Sequence, residues 1–248
     1  MDISKQLEVL MHLKNDDKYY GDYGKQWLSN SDIYSLLNNP KDFNTPTKET
    51  KAMLEGRYFH TAMLEPNKLD DFIVLEVSSR NSKAYKEYVA EHNNKMVLLS
   101  PEVIQINKVV SSMKSNLEMH TEIYDSNNKF EVPNVKNIFG LDWKGKADIV
   151  CKDKLIDLKT TSDISKFKYS ASKYNYDSQA FIYQELFGKP MEFYVVDKNT
   201  FQLAIYTPSE DFLHKGSLKV QEAIRIYNQF FSKESTDLIE QYINYEIL

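Results

Sequence analysis

The chain has 248 residues, a length that suits one α/β domain with a substantial hydrophobic core. Hydrophobic residues make up 42% of it and charged residues 27%, which excludes wholesale disorder. The formal net charge of -5 argues mildly against nucleic acid as a partner, although a local basic surface counts for more than the total.

No apolar run approaches the roughly 20 residues of a membrane span, and the N-terminus lacks the basic and apolar regions of a signal peptide. We therefore expect a soluble, cytoplasmic protein. The single cysteine, Cys151, excludes an internal disulfide and leaves no ligand set for structural zinc or an iron–sulfur cluster. We expect it to be a half-buried strand residue.

The first predicted helix follows Trp27. Ser29 and Asp32 have the spacing of a capping box, and Pro40 closes the segment. Residues 1–26 are expected to form a flexible or peripheral arm.

Further helices are predicted before the central strands, at residues 48–64, 82–93 and 101–120. Pro66 ends the first of them, and Pro101 lies at the start of the last. Residues 71–75 are predicted to form a short strand.

From Thr121 onward the hydrophobic pattern changes to a period of two, which indicates strands. Strand candidates are residues 122–124, 129–132, 138–150, 191–196 and 200–206, with a further strand that carries Asp157 and Lys159. Helices are predicted at 176–187 and 210–231. We expect one domain of the α/β (α+β) class, residues 1–248. Its parts are a mostly helical segment at 27–120, a sheet core with the active site at 121–206, and a helical C-terminal part at 207–248.

Two acids and a lysine occupy neighbouring strands of that core. Asp157 and Lys159 are two apart, so they share one face of a strand. A turn at residues 152–154 would bring Asp148 alongside. Converging carboxylates form a hard-oxygen site for a divalent cation, and a nearby ammonium can orient a water or a phosphate, which suggests metal-dependent phosphodiester hydrolysis. The alternative is a solvated strand face, because an acid two residues before a lysine is common by chance.

His60 lies one helical turn after Gly56, and the glycine is expected to leave room beside the imidazole for a strand or an ion. A lone helical histidine is more often a packing or surface residue. That is our interpretation of His12, His92, His120 and His214.

Two segments after the acids have side chains suited to DNA. Gln179 and Tyr183 are four apart on a predicted helix, where both can bond phosphate or position the lysine. Lys166, Lys168 and Lys173 alternate with aromatics and hydroxyls, so this segment can hold phosphates and stack on an end base. The alternatives are a half-buried aromatic helix and an ordinary solvated loop.

The order Gly-x3-His, Asp, Asp-x-Lys, Gln-x3-Tyr resembles the RecB-type branch of the PD-(D/E)xK nuclease superfamily. The Leu-Glu-Pro after His60 and the Asp-Leu-Lys-Thr-Thr run at Asp157 resemble the nuclease domain of exonuclease VIII (RecE) and related phage exonucleases. The similarity extends roughly from Trp27 to Tyr206. Ala147 stands where the superfamily name has proline, and Asp157 where glutamate is frequent.

The resemblance implies a restriction-endonuclease-like core, a central mixed β-sheet flanked by helices. The implied metal ligands are His60, Asp148, Asp157 and the Leu158 carbonyl, with Mg²⁺ as the metal and Mn²⁺ as a substitute. Lys159 is implied to orient or deprotonate the attacking water. Site support and DNA contacts are implied for Gln179, Tyr183 and Tyr176. Glu65 is expected to support the site or to bind a second metal.

The implied activity is a Mg²⁺-dependent exodeoxyribonuclease that digests linear double-stranded DNA from 5′ to 3′. It would leave 3′ single-stranded tails for recombination by annealing. Expected partners are double-stranded DNA ends, a single-strand annealing protein and further copies of the chain in a ring, in the cytoplasm of a bacterial or phage-infected cell. The alternatives are a catalytically silent binder of DNA or of a recombination partner, and an endonuclease.

Overall fold

A five-stranded sheet with helices on both faces organises the computed structural model, which describes residues 3–93 and 95–244. The strands in chain order are β1 (Val74–Leu75), β2 (Leu98–Leu99), β3 (Lys129–Ile138), β4 (Leu141–Val150), β5 (Leu155–Thr161), β6 (Met191–Asp197) and β7 (Leu203–Tyr206). β1 and β2 form a separate parallel pair, and the main sheet has the order β3-β4-β5-β6-β7. β5 and β6 are parallel and the other neighbours antiparallel, which confirms the expected mixed sheet.

The helices cover both faces of this sheet. They are α1 (Ile3–Leu13), α2 (Asp16–Tyr20), α3 (Asn30–Asn38), α4 (Lys51–Leu64), α5 (Lys83–Glu91), α6 (Ser100–Ser115), α7 (Leu117–Ile123), α8 (Phe167–Lys173), α9 (Tyr176–Phe187) and α10 (Glu210–Phe230). α4, α6 and α7 pack on one face, against residues such as Ile156 and Leu158 of β5. α3, α9 and α10 pack on the other, around Trp143 of β4. Among the described residues, no helix is both long and apolar enough to cross a bilayer.

β3 and β4 form a hairpin that the sequence analysis divided wrongly. The turn is the pair Phe139 and Gly140, whose φ angles are 50° and 92°. Two positive φ angles in a two-residue loop match the twist of the flanking strands, as in a type I′ turn. Pro133, which follows the predicted strand at 129–132, lies inside β3. It is tolerated because β3 is an edge strand, where a missing N–H need not pair.

Residues 122–124 were predicted to begin the sheet, and this was wrong because they lie at the end of α7 and just after it. The predicted helix at 101–120 is in fact two helices. The side chain of Asn116 caps the second by accepting a hydrogen bond of 2.9 Å from the backbone N–H of Met119. Capping lets a new helix start where the previous one ends.

Other local signals had the predicted effect. At the start of α3 the Asp32 carboxylate accepts a hydrogen bond of 2.7 Å from the backbone N–H of Ser29, as a capping box requires. α9 ends at Gly188, whose φ of 65° is favourable for glycine. The predicted short strand at 71–75 is confined to Val74 and Leu75.

Residues 1–26 were expected to form a flexible or peripheral arm, and the described part of this segment packs at the edge of the sheet. Val9 and Leu13 of α1 and Tyr19 of α2 are buried in one cluster with Val135 of β3. These apolar side chains tie α1 and α2 to the edge of the sheet. Residues 1–2 of the expected arm and 245–248 of the expected C-terminal part lie outside the described residues.

This packing predicts that α1 contributes to global stability. Leu13 is fully buried, so Leu13→Ala should lower the free energy of unfolding by about 2–4 kcal/mol. Met11 on the same helix is 72% exposed, and Met11→Ala should change it by less than about 0.5 kcal/mol. Urea denaturation of both variants measures the difference. Equal, negligible effects would mean that α1 is not part of the folded body.

Candidate metal centre

β4 and β5 separate in the middle of the sheet, and the candidate site lies at this fork. Their antiparallel pairing is limited to Ile149 with Ile156 and Val150 with Leu155. Beyond these pairs, the Asp148 carboxylate replaces a strand partner, since its Oδ2 accepts a hydrogen bond of 2.8 Å from the Leu158 backbone N–H. The buried carboxylate is thereby fixed between the two strands.

The edge of β4 that β5 leaves is satisfied by other groups. Leu28 bonds to the Asp142 carbonyl and to the Lys144 N–H. The Tyr183 hydroxyl donates to the Lys146 carbonyl at 3.1 Å and accepts from the Lys146 N–H at 3.3 Å. Because buried backbone groups need partners, these contacts stabilise a strand that parts from its neighbour. Tyr183, which we expected to support the site or contact DNA, lies where it supports β4.

α4 brings His60 to the fork. The Nδ1 atom of His60 lies 3.2 Å from Asp148 Oδ2. The expected role of Gly56 is wrong, because a Cβ added there would meet no atom within 4 Å. Room for the imidazole therefore does not depend on this glycine.

Glu131 of β3 completes a group that the sequence analysis missed. His60, Glu131 and Asp148 each offer one metal-ligand atom, and these three atoms lie within 4.8 Å of one another. Glu131 lies opposite Asp148 because its neighbours pair in register, Phe130 with Ile149 and Val132 with Ala147. Its φ of 49° is strained for a non-glycine residue, and such strain clusters at functional sites. The sequence signal that could have revealed Glu131 was the Phe139–Gly140 turn, because this turn sets the register of the β3–β4 hairpin.

Asp157 lies outside that three-residue group. Gln179 Nε2 of α9 donates to Asp157 Oδ1 at 2.6 Å, and the Lys159 ammonium contacts Oδ2. Asp157 Oδ2 is buried and receives no hydrogen bond of acceptable geometry from the described residues. The ring of Tyr176 lies 4.7 Å from the Lys159 ammonium, so it fixes the lysine from the other side. Asp157 as a metal ligand stays a prediction.

The ionisable groups of the site differ in pKa. Burial raises the pKa of Asp157 to about 6, although the nearby Lys159 opposes this. Burial and the charge of Asp148 raise the pKa of Glu131 to about 8. Burial alone would raise the pKa of Asp148, but His60 outweighs it and the net shift is downward. Burial alone would lower the pKa of His60, but Asp148 outweighs it and the net shift is upward.

These shifts fit a cation site. Three carboxylates converge with one imidazole and one ammonium, so full ionisation of the carboxylates would leave the cluster short of positive charge. Carboxylate oxygens with one imidazole suit Mg²⁺ and Mn²⁺. Asp157 Oδ2 is buried beside the Lys159 ammonium, and a bound cation or its water could share this oxygen.

A cleft of about 1600 Å³ opens beside the fork. Glu65 lines it and pairs with Lys68 at 2.6 Å. Lys166, Lys168 and Lys173 are exposed on and beside α8 and are not among the lining residues. The basic residues of the lining are Lys25, Arg57, Lys144, Lys146 and Lys159. A DNA path through this cleft therefore depends on other lysines than those expected.

Comparisons with known proteins agree with this architecture. Residues 28–239 match the model of a family described as "PDDEXK-like domain of unknown function (DUF3799)". The crystal structure of a candidate exonuclease from Eubacterium rectale is similar, with a TM-score of 0.64 and 16% identity over 94% of this chain and 95% of that chain. The structure titled SSO0001 covers 69% of this chain and 85% of its own at 16% identity, but its TM-score of 0.33 is too low to indicate a shared fold. No curated protein matches the sequence significantly.

The raised pKa of Glu131 predicts how pH affects the metal-free protein. Because its pKa is about 8 when folded and near 4.5 when unfolded, the folded state binds the proton more tightly. This contribution to the free energy of unfolding is complete below about 4.5 and is lost as pH rises through 8. Glu131→Gln keeps the neutral shape, so in EDTA it should be more stable than wild type at pH 9. The difference in the free energy of unfolding between Glu131→Gln and the wild type should become smaller toward pH 6.

Chemical denaturation at several pH values measures this difference in the free energy of unfolding. Added Mg²⁺ should reduce the difference at pH 9 by stabilising the wild type. A difference that does not change with pH would contradict the assignment of Glu131 to a charge-crowded site.

Proposed function

Since the chain belongs to the PDDEXK-like domain family DUF3799, we propose that it is a metal-dependent deoxyribonuclease that hydrolyses phosphodiester bonds. Membership confirms the superfamily resemblance seen in the sequence. The observation that carries the proposal is the convergence of His60, Glu131 and Asp148 at the strand fork, with Lys159 beside them and an open cleft in front.

His60, Glu131 and Asp148 would hold the metal, and Asp157 is the fourth candidate. A Mg²⁺ held there would supply Lewis-acid chemistry, polarising a phosphoryl oxygen, activating a water and stabilising the leaving alkoxide. The imidazole of His60 is fixed by Asp148, and the carboxylate of Asp148 by the Leu158 N–H, so the ligands are oriented before substrate arrives.

Lys159 acts as a hydrogen-bond donor in this arrangement. Burial alone would lower the pKa of Lys159, but the charges of Asp157 and its neighbours outweigh it and the net shift is upward. The ammonium therefore keeps its proton and can orient the attacking water or contact the phosphate. Gln179 fixes the Asp157 carboxylate, which in turn positions Lys159.

The cleft suits a nucleic acid strand near the metal ligands. The side chains of Tyr20, Tyr34 and Met53 line it and are more than half exposed, and aromatic rings there can stack on bases. Acidic residues outnumber lysines and arginines in the lining. Substrate binding should therefore need divalent cations that offset this charge.

The finer features of the activity belong to the proposal through the sequence resemblance. We propose digestion of linear double-stranded DNA from 5′ to 3′, which leaves 3′ tails for a single-strand annealing protein. Assembly into a ring follows by the same analogy. The candidate exonuclease from Eubacterium rectale shares the fold over nearly its full length.

One incubation tests the activity. Linear duplexes labelled at either 5′ or 3′ ends and a closed circle are mixed with the protein and Mg²⁺. We expect loss of the 5′ label with the circle spared. Asp148→Asn should reduce the rate about a hundredfold or more, because a metal ligand is lost. The matched control is Asp153→Asn, which removes the same charge from the exposed turn after β4.

Each outcome separates the alternatives. Nicking of the circle would indicate an endonuclease, and loss of the 3′ label first would reverse the polarity. Absence of cleavage with retained DNA binding would indicate a silent binder. Wild-type cleavage by Asp148→Asn would place the chemistry elsewhere.

A further inference from the structure

A chain of ion pairs crosses the cleft beside the metal ligands. Lys146 of β4 contacts the Asp16 carboxylate of α2. Lys68, in the turn after α4, lies 3.8 Å from the other oxygen of Asp16 and 2.6 Å from Glu65. Two ammonium groups, one from β4 and one from the turn after α4, thus meet at one carboxylate. Such a carboxylate occupies a site that would accept any anion of similar size.

Lys146 lies on the same strand face as the candidate metal ligand Asp148. It lies two residues before Asp148 on β4, so the two side chains share a face of the strand about 6.6 Å apart along it. This spacing resembles that between neighbouring phosphates of a nucleic acid strand. Its side chain is only 5% exposed, and a buried ammonium needs an anionic partner.

α2 does not depend on Asp16 for its position. The Lys144 ammonium donates to the Tyr19 carbonyl, and Tyr19 is buried against its own neighbours. The Lys144 ammonium also lies 4.4 Å from the Tyr19 ring centroid. The Asp16 side chain is 53% exposed. It can therefore turn into solvent while α2 stays in place.

We propose that Lys146 and Lys68 bind the phosphate next to the one that is cleaved, and that Asp16 occupies this phosphate site in the free protein. The inference rests on the proposed nuclease function and adds a substrate contact and a built-in competitor to it. A phosphate replaces Asp16 because it offers more acceptor oxygens to two ammonium groups. Tyr20, whose ring lies 5.3 Å from the Lys146 ammonium, is available to the adjoining base.

Competition by Asp16 is tested by removing its charge. Binding of a fluorescent single-stranded oligonucleotide is measured with Ca²⁺ in place of Mg²⁺, and gels verify that the strand stays intact. Asp16→Asn should lower the Kd roughly threefold to tenfold. The matched control is Asp17→Asn, which makes the same charge change in the same helical turn at a side chain with no described partner in the cleft. It should change the Kd less than twofold.

Salt dependence gives a second readout. In the wild type, the displaced Asp16 takes up a cation, which offsets one of the cations that the DNA releases. Asp16→Asn has no such uptake, so the plot of log affinity against log salt should be steeper by about one. Lys146→Met should weaken binding and abolish the gain from Asp16→Asn, because the two act at one site.

The results distinguish this inference from the proposed function. If the wild type cleaves and binds DNA but Asp16→Asn and Asp17→Asn behave alike, the phosphate site is wrong and the nuclease stands. A gain from Asp16→Asn that persists with Lys146→Met also overturns it. A wild type that neither binds nor cleaves DNA overturns both.

Discussion

The separation of β4 from β5 is the constraint on which the rest of the site depends. A sheet strand that leaves its neighbour exposes backbone groups, and buried ones must find other partners. Here Leu28 and the Tyr183 hydroxyl bond the backbone of β4, and the Asp148 carboxylate accepts from the Leu158 N–H of β5. The hydrogen bond that satisfies the Leu158 N–H therefore also places the Asp148 carboxylate between the two strands. The hairpin register then brings Glu131 opposite Asp148, and α4 adds His60 from above the sheet.

Charge balance gives that gap its chemistry. Buried carboxylates are costly unless they are neutralised, and the described partners of the cluster are too few for that. Burial, together with the negative charge of Asp148, raises the pKa of both Glu131 and Asp157. A divalent cation bound there would supply the missing charge, and the same cation could carry the proposed hydrolytic chemistry. Stability and function thus place the same demand on this site.

Much of the fold and part of the site could be predicted from local sequence signals. The cap at Ser29, the stop at Gly188 and the order of acids, histidine and lysine depend on neighbours in the chain. Glu131 could not be found without the hairpin register, because it joins the site only through pairing across β3 and β4. The packing of α1 on Val135, more than a hundred residues away, also left no local signal. The predicted DNA contacts Lys166, Lys168 and Lys173 lie outside the cleft, whereas Lys146, behind Asp16, lines it.

The central claim is that one cation binds between His60, Glu131 and Asp148. Crystals grown with Mn²⁺ test it most directly, since anomalous scattering locates the ion independently of any assumed ligand. We expect a strong peak within bonding distance of those three side chains. A fully occupied ion elsewhere in an active protein, or a His60 ring turned away from the peak, would contradict it.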